Sequence, residues 1–225
     1  MDMKELLEKC DHTLLKPDAT WDGIKKLCDE GMESGCATVC IPPSYVRQAA
    51  DYLRDKKTGL LICTVIGFPN GYNTTKVKAA EAEDAVLNGA DEIDMVINIG
   101  WLKDKRYDDI LNEIKAVKES CHGRVLKVIV ETCMLTDEEK VVISKIVTES
   151  GAEYIKTSTG FAAWGATASD VAILKANVGE NVKVKAAGGI SSLEDAKEFL
   201  RLGASRLGTS KIVALIKQSS ENGMT

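Results

Sequence analysis

Three lysines and one aspartate carry most of the chemistry legible in this sequence. Lys156 lies in Glu153-Tyr154-Ile155-Lys156-Thr157-Ser158-Thr159-Gly160-Phe161, which reads as a short strand running into a loop of small residues. Tyr154, Lys156 and Ser158 alternate with Ile155 and Thr157, so the two sets point to opposite faces. Nothing in the stretch neutralises the lysine. A bare ammonium on an interior strand face is costly, and such a lysine ordinarily shifts its pKa downward. A lysine of depressed pKa is the usual Schiff-base nucleophile.

The same alternation places other charges on strand faces. Glu92, Asp94 and Val96 share a face opposite Ile93 and Met95, and Lys127 shares one with Ile129 and Glu131. Lys183 and Lys185 lie opposite Val182, Val184 and Ala186. The apolar faces suit a helix layer, so Asp94, Lys127, Lys156 and Lys185 are expected to face one interior. Two ammonium groups in one pocket repel, which favours the neutral form of one of them. Lys185 would supply that push on Lys156, and Asp94 would move protons during carbinolamine and enamine chemistry. Spacing does not settle which lysine is the nucleophile.

A second signal is glycine placed before helices. Gly188-Gly189-Ile190-Ser191-Ser192 and Gly208-Thr209-Ser210 each end a strand, as does Gly160. Glycine lets backbone N–H groups approach an anion, and a helix N-terminus adds its dipole. Gly160, Gly188, Gly189, Gly208, Ser210 and Lys211 are the expected phosphate contacts.

The elements that must position these residues alternate regularly. After a short helix from Lys4 to Glu8, strands are expected at Cys10–Leu15, Ala37–Ile41, Leu60–Ile66, Ala90–Ile99, Arg124–Glu131, Ala152–Ser158, Asn181–Ala187 and Ala204–Leu207. Helices are expected at Thr20–Ser34, Ser44–Lys57, Thr74–Asn88, Tyr107–Ser120, Thr136–Ser150, Thr167–Ala176, Ser192–Leu202 and Ser210–Ser219. Ser44 reads as one cap, and Thr167-Ala168-Ser169-Asp170 as a capping box. Eight strand–helix units at a spacing of about 28 residues imply a parallel sheet closed into a single (β/α)8 TIM barrel spanning residues 1–225. Barrels carry their sites at the carboxyl ends of the strands and often hold phosphate after the last two.

Composition narrows the function. Hydrophobic residues make up 44% and charged residues 28%, with a formal net charge of -5. Both signs are interleaved, which excludes a nucleic-acid or membrane surface. No signal peptide or membrane-crossing run is visible. Seven cysteines without CxxC spacing fit a reduced cytoplasm. Cys36 and Cys40 read as buried small hydrophobes. His12 and His122 are too few and too far apart for a zinc site, so no metal is expected, and no Walker loop or GxGxxG serves a nucleotide. Trp21, Trp101, Trp164 and the methionines read as packing or rim residues.

Six segments together resemble the deoxyribose-phosphate aldolase family. They are Asp11-His12-Thr13-Leu14-Leu15-Lys16-Pro17, Val39-Cys40-Ile41-Pro42-Pro43, the stretch from Ala90 to Asn98, Leu126 to Thr132, Tyr154 to Phe161, and Val184-Lys185-Ala186-Ala187-Gly188-Gly189-Ile190. The resemblance implies a class I, metal- and cofactor-free aldolase on a barrel, acting on a sugar phosphate and an aldehyde. It implies Lys156 as Schiff-base lysine, Lys185 as its activator, Asp94 as proton donor and acceptor, and Lys127 as the lysine supporting Asp94. Asp11, Thr13, Cys40 and Thr159 match pocket-lining positions that bind substrate. A homo-oligomer is compatible with this reading. Two positions depart from some members. Phe161 stands where they carry lysine, and Ser210-Lys211 where they carry paired serines. The chain closes on Gly223-Met224-Thr225 rather than tyrosine, so proton exchange is expected to rest on Asp94 and water. A ketose-cleaving Schiff-base barrel and a sugar-phosphate sensor without catalysis remain rival readings.

Overall fold

The computed structural model describes residues 2–221, so Gly223-Met224-Thr225 lie outside the described residues. The elements run α1 (Met3–Leu7), β1 (Cys10–Thr13), α2 (Trp21–Ser34), β2 (Thr38–Ile41), α3 (Val46–Asp55), β3 (Leu61–Ile66), α4 (Thr75–Leu87), β4 (Glu92–Val96), α5 (Ile99–Lys103) and α6 (Tyr107–Ser120). They continue β5 (Val125–Ile129), α7 (Asp137–Ser150), β6 (Tyr154–Lys156), α8 (Ala168–Asn177), β7 (Lys183–Ala187), α9 (Leu193–Arg201), β8 (Ala204–Thr209) and α10 (Ile212–Glu221). Each strand pairs in parallel with the next, and β8 returns to β1, closing an eight-stranded barrel. This is the (β/α)8 architecture expected from the alternation.

The barrel wall separates two environments. Outward residues such as Val39, Ile41, Ile93, Met95, Leu126, Val128, Ile155, Val184 and Ala186 are fully buried under the helices. Their burial, at about 25 cal/mol per Å² of apolar surface, drives the helix layer onto the sheet. Inward residues are largely polar, and these are the ones with chemistry.

Several boundaries differ from the sequence reading, each for a local reason. The first strand stops at Thr13, where the chain turns away after Leu14 N–H donates to the Cys40 carbonyl (3.0 Å). Ser44 is not a cap. It sits inside a 3-10 turn, Pro43–Tyr45, and α3 begins at Val46 without a side-chain cap. The fourth strand ends at Val96, because Asn98 caps the unforeseen α5 by accepting from Trp101 N–H (3.2 Å). The Thr167 capping box is only half formed. Thr167 Oγ1 accepts from Asp170 N–H, but the Asp170 carboxylate is drawn to Lys140 (2.7 Å) and Thr132 (3.1 Å) instead. Tyr107–Ser120, by contrast, matches at both ends. No helix among the described residues is long and apolar enough to cross a membrane.

Candidate active site

Parallel register decides which charges meet. Asp94 on β4 pairs in register with Lys127 on β5, and Lys156 on β6 with Lys185 on β7. All four side chains enter the lumen, where Asp94 collects the three ammonium groups. Its Oδ1 lies 2.8 Å from Lys127 Nζ, and its Oδ2 lies 2.7 Å from both Lys156 Nζ and Lys185 Nζ. Lys127 also contacts Glu92 (2.7 Å), and Lys185 contacts Asp11 (2.5 Å). Arg206 on β8 completes the cluster, pairing with Asp11 (2.7 Å) and Glu92 (3.1 Å). Four cations therefore face three carboxylates, and the excess of positive charge sits among the lysines.

These contacts set protonation. Burial alone would push the Asp94 carboxyl up, but Lys127, Lys156 and Lys185 together hold it well below the usual carboxylate range. Burial opposes charge on Asp11 too, yet Lys185, Lys127 and Arg206 keep its carboxyl low. Lys185 is desolvated, which disfavours its ammonium, but Asp11 and Asp94 raise it above the ordinary lysine range. Lys127 is raised in the same way by Asp94 and its neighbours. Among the described residues, Lys185 is thus a firmly protonated lysine with two carboxylates, and Lys156 has one.

Above this cluster lies a cavity of about 460 Å³. Lys156 lines it, whereas Lys127 and Lys185, both fully buried, do not. All six anticipated anion residues line it as well: Gly160, Gly188, Gly189, Gly208, Ser210 and Lys211. Gly188 and Gly189 both take φ +72°, a left-handed backbone that glycine adopts without cost. Among the described residues, their N–H groups donate to no backbone or side-chain acceptor. Gly208 serves packing, since a Cβ there would lie 3.1 Å from Lys185 Cε.

The α9 N-terminus contributes less than its position suggested. Asp195 Oδ2 already accepts from the N–H groups of Ser191 and Ser192, each at 3.0 Å. The donors left to face an anion come from Gly188, Gly189 and the Ser210 segment.

The four anticipated substrate residues divide. Thr13 and Thr159 line the cavity. Asp11 and Cys40 lie beneath its floor, because Asp11 is held down by Lys185 and Arg206, and Cys40 packs with Cys63 and Val65. The Thr159 hydroxyl donates to Glu131 Oε2 and accepts from Phe161 N–H (3.0 Å), which leaves it one acceptor lone pair.

Donor atoms of Cys40, Cys63 and Asp94, and of Asp11, Cys63 and Glu92, cluster within 4.8 Å among the described residues. Lys127 Nζ lies between these groups, 2.8 Å from Asp94, 2.7 Å from Glu92 and 3.2 Å from Cys63 Sγ. An ammonium already takes the place a metal cation would need. His12 points outward and pairs with Glu30 of α2 (2.9 Å).

Four residues of this region escaped assignment from the sequence. Arg206 is signalled by a charge inside a short strand, and Glu92 by its place two residues before Asp94 on the same face. Lys16, exposed and lining the cavity beside Lys211, lies in the Leu14-Leu15-Lys16-Pro17 turn. Glu131, buried beside the Lys156 loop, carries no signal of its role in the pattern.

Comparison with known proteins agrees with this geometry. The profile of the DeoC/LacD family aldolases matches residues 6–217. The chain is 54% identical over 215 residues to a deoxyribose-phosphate aldolase of Clostridioides difficile, covering 96% of this chain and 97% of that one. It is 54% identical over 220 residues to one of Streptococcus pyogenes, covering 98% and 97%. A tetrameric deoxyribose phosphate aldolase from Aeropyrum pernix superposes with a TM-score of 0.89 at 29% identity, over 98% of this chain and 92% of that one.

Proposed function

This chain belongs to the DeoC/LacD aldolase family, and from that premise we propose that its cavity cleaves 2-deoxy-D-ribose 5-phosphate reversibly into acetaldehyde and D-glyceraldehyde 3-phosphate. One observation carries the assignment of roles. Of the three lysines around Asp94, Lys156 is the one that opens into the cavity and, among the described residues, has a single carboxylate partner. It is the Schiff-base nucleophile. When it gives up a proton, three cations remain for three carboxylates and the buried cluster stays balanced.

The Lys156 Nζ lone pair attacks the C1 carbonyl, and loss of water gives a protonated imine. A base then takes the C3 hydroxyl proton. The C2–C3 bonding electrons move into the iminium, and glyceraldehyde 3-phosphate departs. The remaining enamine takes a proton at C2, and water releases acetaldehyde. Lys185, anchored by Asp11, keeps a positive charge beside Lys156 throughout and disfavours a second one. At the enamine stage the nitrogen is neutral, so Asp94 loses one of the cations that hold its carboxyl down. It becomes more basic at the step where protons move. Lys127 holds the other carboxylate oxygen in place.

With C1 at Lys156, the phosphate reaches the Gly188–Gly189 and Ser210 loops across the cavity. Lys16 and Lys211 stand at its rim and supply cationic charge where Phe161 supplies none. The whole chain, residues 1–225, acts as one catalytic unit. A reduced, cytoplasmic setting suits its seven free cysteines, six of them buried. Self-association, as in the tetrameric relative, is part of this reading, and light scattering on the purified chain measures it.

Borohydride trapping with acetaldehyde tests the function. An ethyl adduct mapping to Lys156, absent from Lys156→Arg, is the expected result. An adduct on Lys185, or none on the wild type, overturns it; a ketose-specific enzyme would trap little acetaldehyde and a sensor none.

A further inference from the structure

The strand that carries Lys156 is the shortest in the barrel and ends on the lysine itself. Backbone pairing to both neighbouring strands runs one residue past Tyr154–Lys156, to Thr157, yet Ser158 and Thr159 beyond it are buried as well. Thr157 is tied to β7, donating N–H to the Lys185 carbonyl (3.1 Å) and accepting from Ala187 N–H (3.1 Å). On the opposite side the tie is Glu131.

Glu131 follows β5 and adopts φ +55°, ψ +66°, a left-handed backbone on a residue that carries a Cβ. Such positions persist only where the surroundings impose them, and they gather at functional sites. The ladder to β6 survives on both sides of it. Val130 N–H donates to the Lys156 carbonyl (3.0 Å), and Thr132 N–H donates to the Thr157 carbonyl (2.9 Å). The turn at Glu131 therefore does not end the pairing. It redirects one side chain.

That side chain, 2% exposed, aims both carboxylate oxygens at Thr159. Each oxygen lies 3.3 Å from Thr159 N, and Oε2 accepts from the Thr159 hydroxyl at 2.5 Å. Among the described residues no cation pairs with Glu131. A buried carboxylate without a counter-ion is costly to keep, and apart from a long contact from Cys133 Sγ (3.9 Å) its bonds go to the loop behind the reactive lysine. Thr159 passes the restraint on through Phe161 N–H (3.0 Å), and the Phe161 ring stacks edge-on against Phe68 of the β3 loop (5.3 Å).

We propose that Glu131 is the positioning residue of the Schiff-base lysine: its carboxylate takes over where the ladder stops after Thr157 and holds the Ser158–Phe161 loop, and with it Lys156, against β5. The inference rests on the role given to Lys156 above.

The test is a double-mutant cycle on Glu131→Ala and Thr159→Val. It reads kcat and KM for deoxyribose 5-phosphate, and the rate of borohydride trapping at saturating acetaldehyde, which carries no phosphate. Each single variant is expected to lower kcat and the trapping rate about 10- to 100-fold, as small misplacements of a reacting group do. KM should stay within about threefold, since the loss falls on the chemical step. The double variant should be no slower than the worse single variant, because both remove one restraint. Glu131→Gly keeps the left-handed turn without strain but lacks the carboxylate. It should show the same kinetic loss with a Tm at or above that of Glu131→Ala. Losses that multiply, wild-type trapping rates in Glu131→Gly, or rates that track Tm across the set would overturn the proposal. A wild-type enzyme that fails to trap at Lys156 would instead sink the reading on which it rests.

Discussion

Lys156 and Lys185 are register partners on neighbouring parallel strands, and their ammonium groups both lie 2.7 Å from the same oxygen, Asp94 Oδ2. A single carboxylate oxygen thus couples the nucleophile to its activator. Replacing Lys185 by leucine leaves that oxygen to Lys156 alone and removes the neighbouring positive charge. Activity at pH 7 should fall, and the ascending, acid-side limb of the pH–rate profile, along which the nucleophile becomes neutral, should move to higher pH. A loss with unchanged pH dependence would mean that Lys185 acts by placement instead.

Phosphate recognition should separate from chemistry. Ser210→Ala removes one hydroxyl donor worth about 1.5–3 kcal/mol towards a charged group, or about 10- to 150-fold in affinity. KM for deoxyribose 5-phosphate should rise accordingly, with KM for unphosphorylated deoxyribose unaffected. Lys16→Ala should act in the same direction, with an effect that shrinks as salt is added, because Lys16 is exposed. Equal losses on both substrates would place the phosphate elsewhere. Gly189→Val is the poorer probe. The nearest atoms to a Cβ there are 3.7 Å away, and the strain comes from φ +72° rather than from crowding.

Outside the lumen, Lys78 and Glu113 form a fully buried pair (2.9 Å), with Lys78 also donating to the Val96 carbonyl at the end of β4 (2.8 Å). Burial pushes Lys78 down and Glu113 up, so each is driven toward its neutral form despite the other. Lys78→Met should cost about 3–5 kcal/mol in urea unfolding, by stranding a carboxylate. The Lys78→Met/Glu113→Leu pair should recover most of that loss. A double variant no better than the single one would show that the pair is needed for more than mutual compensation.

Acid should weaken the fold through the lumen. The folded Asp94 and Asp11 carboxyls lie below their unfolded values near 3.9, so unfolding takes up protons as pH falls. Their contribution is fully present above about pH 4 and is lost below it. The urea midpoint should therefore drop between about pH 4 and pH 3, and Asp11→Asn should flatten that slope. An equal slope in the variant would remove Asp11 from the cause.

Much of this molecule is visible in local pattern. Runs such as Leu61–Ile66 announce strands buried on both faces, and Tyr107–Ser120 announces a helix to the residue, because hydrophobic period is a property of neighbours in sequence. The alternation around Asp94, Lys127, Lys156 and Lys185 even told which face each would take. The local capping signals failed for two different reasons, a distant partner in one case and a neighbouring proline in the other. Asp170 left its own helix cap for Lys140, and Ser44 yielded to the turn set by Pro43.

From sequence alone came the number of units, their order, and the side chains that must turn inward, since periodicity and glycine placement act within a few residues. The choice of nucleophile came only with the closed barrel. Lys156 and Lys185 are equivalent in pattern, and they differ because closure brings Asp11 of the first strand and Arg206 of the last against Lys185. That contact spans nearly the whole chain, 195 residues between Asp11 and Arg206, and it puts a second carboxylate on Lys185 while Lys156 keeps one and faces the cavity. The charge balance that sets reactivity is a sum over distant strands, so it exists only once they meet.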